Sequence, residues 1–131
     1  MVKLQIPARS AYVAVVRLAV GSLARVEGMD EERIDELKIA VSEACANAVL
    51  AHEEAASADP VSVTFAREDD RVIVEVAHGG HELDDPIDLA DSQGIPSRLV
   101  LSLSLIESLV DAWRYGPAPD GGMLARLELH L

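Results

Sequence analysis

The chain has 131 residues, half of them hydrophobic and 26% charged, with 11 Lys and Arg against 23 Asp and Glu for a net charge of −12. That length and mix give a single domain over residues 1–131 with enough apolar residues for a real core. A surface so acidic, with no run of Lys or Arg, argues against nucleic acid as a partner, and four aromatic residues (Tyr12, Phe65, Trp113 and Tyr115) are too few for a base-stacking platform. The lone Cys45 cannot form an internal disulfide. The opening MVKLQIPARS lacks an apolar leader, and stretches such as residues 11–16 fall far short of the roughly 18–20 residues that cross a membrane. A soluble, cytoplasmic protein with no membrane partner is expected.

Val2, Leu4 and Ile6 alternate with polar residues and predict a short strand stopped by Pro7. Residues 8–26 repeat apolar side chains at helical spacing (Val13, Val16, Val20, Leu23), and Glu27-Gly28 ends that helix. Asp30 is a good N-cap for a second helix to about Ala56, with Glu31 and Glu32 in its first turn and Asp59-Pro60 as breaker. Residues 61–65 and 72–76 predict a hairpin around the polar turn at 68–71. Residues 78–96 are rich in Gly, Asp and Pro and form a long loop, a kind usually functional or mobile. Ser97 can cap a third helix to about Ala112, although the alternation over residues 99–105 also suits a strand. Residues 113–115 and 123–131 close the chain as a hairpin turned at 117–122. The order β-α-α-β-β-α-β-β implies an α+β fold, a two-layer sandwich whose mixed, mostly antiparallel sheet carries its helices on one face.

The second helix holds the sharpest signal. At about 100° per residue, Ile34, Leu37, Val41, Cys45 and Ala48 share one face, which is a core stripe. Asp35, Lys38, Ser42 and Glu53 make a solvent stripe. Glu43 and Asn47 fall on neither; they stack one turn apart on a third side among Ala40, Ala44 and Leu50. Small neighbours leave room for a ligand, Glu is a general base or water holder, and Asn offers a carbonyl oxygen to Mg²⁺. The same spacing also fits two solvated side chains on a weakly amphipathic helix.

The stretch Glu36-Leu37-Lys38-Ile39-Ala40-Val41-Ser42-Glu43-Ala44-Cys45-Ala46-Asn47-Ala48-Val49 closely resembles the N-box helix of the anti-sigma-factor serine kinases of the RsbW/SpoIIAB type, within the GHKL or histidine-kinase-like ATPase superfamily. The order of elements resembles that family over nearly the whole chain. The resemblance implies the histidine-kinase-like ATPase fold, with ATP and Mg²⁺ between helices and sheet. It implies Glu43 as the base that activates a serine on a protein substrate and Asn47 as the Mg²⁺ ligand. Implied partners are a sigma factor and an anti-sigma-factor antagonist, the latter phosphorylated on serine, in a regulator of transcription that is commonly a homodimer.

Two further family motifs are altered. Where the family has D-x-G-x-G after the second hairpin strand, this chain has His78-Gly79-Gly80-His81-Glu82, so His78 replaces the adenine-reading Asp and only Gly80 keeps a motif glycine. Where the family has G-x-G-L-x-L at the last helix, counting back from Leu109-Val110-Asp111 puts Val100 and Ser102 at the glycine positions. The resemblance therefore places His78, Gly80 and Ser102 with Asn47 in the nucleotide site. It leaves two functions open: an ATP-dependent protein-serine kinase, or a non-catalytic partner-binding module that keeps the fold without ATP. Other chemistries fare worse. His78-x-x-His81 has no second ligand pair, Cys45 sits on the core stripe, Ser102 and Ser104 lack a His/Asp partner at readable spacing, and residues 82–91 lack the alternation of a Ca²⁺ loop.

Overall fold

The computed structural model describes residues 1–79 and 84–131. Five strands, β1 (Val2–Ile6), β2 (Val61–Glu68), β3 (Arg71–His78), β4 (Ala112–Pro117) and β5 (Met123–His130), form one sheet in the order β1-β2-β3-β5-β4. Every neighbouring pair among the described residues is antiparallel, in keeping with the mostly antiparallel sheet that the sequence predicts. Helices α1 (Val13–Val26), α2 (Glu31–Glu54) and α3 (Ser97–Leu109) complete the fold. The strands bury alternate residues, with Val72, Val74 and Val76 of central β3 beside Leu127 and Leu129 of β5. Ile34, Leu37, Val41, Cys45 and Ala48 of α2 are all buried, as the core stripe required.

Helix ends follow local chemistry. A short 3-10 turn (Ser10–Tyr12) delays α1 to Val13, because Arg9 N–H already turns back to the Pro7 carbonyl. The α1 exit is a Schellman motif: Gly28 sits at φ +87°, its N–H bonds to Arg25 O, and Met29 N–H bonds to Ala24 O. The Asp30 carboxylate caps α2 by accepting from Arg33 N–H at 2.9 Å. That helix ends at Glu54 rather than Ala56, since Ala56 takes the left-handed position at φ 51° and Ser57 N–H bonds to His52 O.

Ser97 does not cap α3; Pro96 stands at the N-cap and no side-chain cap bond forms. This helix stops at Leu109, short of Ala112. Val110 is extended, Asp111 N–H is taken by the Glu128 carbonyl, and the Asp111 carboxylate accepts from Arg33 of α2 and His130 N–H. The loop before α3 is anchored to the sheet. Ile87 N–H donates to the Tyr115 carbonyl at 2.8 Å, and Ile87, Leu89 and Ile95 pack against the core. Among the described residues no helix is long and apolar enough to cross a membrane.

Candidate functional site

The third side of α2, read from sequence as open to a ligand, faces α3. Ala40 and Ala44 are buried there, and small side chains let the two helices approach. Asn47, only 7% exposed, donates its amide to Ser102 Oγ at 2.9 Å, and Ser102 Oγ donates to the Glu43 carboxylate at 2.7 Å. Three predicted residues thus meet in one hydrogen-bonded chain from α2 to α3. Beside them runs an open groove of about 470 Å³, walled by Ala46, Leu50, Leu101 and Leu105 with Arg98 at its rim. Arg98 lies 3.7 Å from Glu54, an exposed pair of little energetic weight.

His78 lies apart, at the end of β3, and lines no part of that groove among the described residues. Its ring is 6% exposed and neither nitrogen has a hydrogen-bond partner among the described residues. Burial, with the nearby His52 ring second, pushes its pKa down to about 4, so it is neutral at pH 7. The His52 ring stands edge-on at 5.5 Å. His52 Nε2 accepts from Gly79 N–H at 3.2 Å, which leaves Nδ1 carrying the proton it donates to the Asp59 carbonyl at 2.8 Å. His52 therefore fixes the chain as it leaves β3, a role its sequence position hinted at: it follows Cys45 by seven and Ala48 by four, on the core stripe. Gly122 closes this corner from the turn just ahead of β5, where an added Cβ would collide with the His78 carbonyl oxygen.

Gly80 and His81 lie outside the described residues. Cys45 is buried, and burial pushes its thiol up to about 12, an inert group. Among the described residues no three His, Cys, Asp or Glu side chains gather to hold a metal.

The histidine kinase-like ATPase domain profile matches residues 6–127. The chain belongs to that family. It is 36% identical to the serine-protein kinase RsbW of Bacillus licheniformis, covering 86% of this chain and 76% of that protein. RsbW of Bacillus subtilis (strain 168) matches at the same 36%, with the same 86% and 76% coverage. RsbW of Bacillus velezensis reaches 41% over 63% of this chain and 52% of its own length. Among solved structures, the RsbU and RsbW domains of a Mycobacterium tuberculosis protein superpose with a TM-score of 0.75 at 23% identity, covering 99% of this chain and 31% of that one. A chain of the SiaB–SiaC complex of Pseudomonas aeruginosa superposes at 0.60 and 12% identity, over all of this chain and 90% of the other. The two structures show the fold; the family is carried by the sequence matches.

Set against the Mg²⁺ and ATP that the resemblance implies, the described residues differ at three positions. Ser102 holds one oxygen of the Glu43 carboxylate and the amide nitrogen of Asn47, and the Asn47 carbonyl oxygen, the atom suited to a metal, takes no part in these bonds. A neutral, enclosed imidazole, His78, stands where the resemblance implies a charged carboxylate. Val100 sets a β-branched side chain where the resemblance implies a glycine beside the phosphates.

Proposed function

We propose that the chain is an anti-sigma-factor-like regulator that acts by binding protein partners, a sigma factor, an anti-sigma-factor antagonist or both, without needing nucleotide to do so. The carrying observation is the Glu43–Ser102–Asn47 chain, which commits the side chains of the matched N-box to holding two helices together. The sequence match to RsbW over most of the chain supplies the class of partner. Titration calorimetry of the purified protein with sigma factors and antagonists encoded in the same genome tests this. A complex that forms equally well with and without Mg-ATP is expected; one that forms only with Mg-ATP overturns it.

The kinase reading is favoured by one observation, the intact Glu43 and Asn47 one turn apart at the groove wall. It requires labelled phosphate from ATP to appear on an antagonist serine, and Glu43→Ala to abolish that transfer without unfolding the protein.

A further inference from the structure

We propose that Ser102 is a latch: its hydroxyl closes the cleft between α2 and α3 by occupying the seat that a substrate hydroxyl would take between the Glu43 carboxylate and the Asn47 amide. The proposal rests on the reading of this cleft as the family's phosphotransfer site and adds what keeps it shut.

Ser102 Oγ is saturated in a telling way. A hydroxyl has one proton to give and lone pairs to receive; here the proton goes to the Glu43 carboxylate at 2.7 Å and a lone pair takes the Asn47 amide at 2.9 Å. The bond to Glu43 is charge-assisted and therefore the stronger of the two. Ser102 is 8% exposed, so water competes little for either bond. Any other hydroxyl reaching Glu43 along this direction must first displace Ser102.

The rest of α3 shows which way the latch would open. Its C-terminal end is pinned: Arg33 of α2 bonds the Asp111 carboxylate and reaches the Leu109 carbonyl, and Trp113 Nε1 donates to Glu107 at 3.0 Å. The N-terminal half has no side-chain cap, and Leu99 and Leu103 bury it through contacts that have no direction. Ser102 supplies the directional bonds from this half to α2, apart from the exposed Arg98–Glu54 pair. Losing them frees the first turns of α3 to swing about the pinned end and widens the groove lined by Leu50, Leu101 and Leu105.

The test uses the full chain with Ser102→Ala and, in case that variant folds poorly, Glu43→Gln, which weakens the charge-assisted bond but keeps the shape. Amide hydrogen exchange is measured over residues 97–109, together with Mg-ADP binding by equilibrium dialysis. Exchange in the first half of α3 is expected to rise about tenfold, the worth of one charge-assisted hydrogen bond, while α1 and the sheet stay unchanged. Mg-ADP is expected to bind Ser102→Ala at least tenfold more tightly than the wild type. Unchanged exchange in both variants overturns the latch. So does wild-type retention of Mg-ADP equal to the variant's, or retention by neither, which would put the closure at His78 and Val100. No partner protein enters the experiment, so its failure leaves the partner-binding reading standing, and failure of that reading leaves this one.

Discussion

Between α2 and α3 the buried polar side chains are paired: Asn47 with Ser102, and Ser102 with Glu43. At the end of β3, about as well shielded from water, the His78 ring has neither nitrogen bonded among the described residues. Both places are where the sequence departs from the motifs that the resemblance implies, yet Ser102 finds partners and His78 has none among the described residues. Serine is small enough to enter the space a glycine leaves and brings a hydroxyl that two neighbours can use. Histidine is wedged beside His52, whose own two nitrogens are spent on Gly79 and Asp59. A buried polar group without a partner stays costly even when neutral.

The largest effect expected at either place is at the β3 corner. Gly122→Val forces a Cβ onto the His78 carbonyl oxygen at a residue with φ +76°, and should cost about 3 kcal/mol or more in chemical denaturation. A near-neutral result would mean that the corner is not packed as described. Next, Asn47→Ala strips Ser102 of its donor and should cost about 2 kcal/mol by the same measurement.

His78→Leu is expected to act in the opposite direction, raising stability by about 1.5 kcal/mol because an unpaired ring is exchanged for an apolar group of similar size. Its pH dependence is more telling. With the folded pKa at about 4 and the ordinary imidazole value at 6.5, His78 binds its proton more readily in the unfolded chain. Wild-type stability should therefore be undiminished above pH 6.5, fall as pH drops from 6.5 toward 4 by up to about 1.4 kcal/mol per unit, and lose nothing more from this group below that. Melting curves of wild type and His78→Leu should diverge across that window; parallel curves would show that the ring is solvated. Asp30→Ala, at an ordinary helix cap remote from both places, sets the scale with a loss of about 1 kcal/mol.

The two places were unequally legible in the sequence. Helical spacing was enough to set Glu43 and Asn47 on one side of α2, away from Cys45 and Ala48, because a wheel depends on nothing outside its own helix. What lay opposite them was not legible, since it depends on how α3 packs. Ser102 stands out in the sequence only as a departure from a glycine motif, and no local pattern sets its hydroxyl between Glu43 and Asn47. His52 offered a signal in its spacing from Cys45 and Ala48, but a histidine on an apolar stripe does not announce which backbone groups it serves. The element order was fully readable. The ends that moved, at Glu54 and Leu109, did so for a left-handed alanine and a carboxylate recruited by Arg33, neither of which has a local pattern.

The loop ahead of α3 also decides how the sheet meets other chains. By giving Ile87 N–H to the Tyr115 carbonyl, and laying Pro86 against Gly116, it covers the outer margin of β4. The outer margin of β1, at the other end of the sheet, has no backbone partner among the described residues. The two margins of the sheet are therefore unlike: β4 is covered by the loop ahead of α3, while β1 keeps its outer backbone row uncovered along Val2–Ile6, with Lys3 and Gln5 exposed beside it.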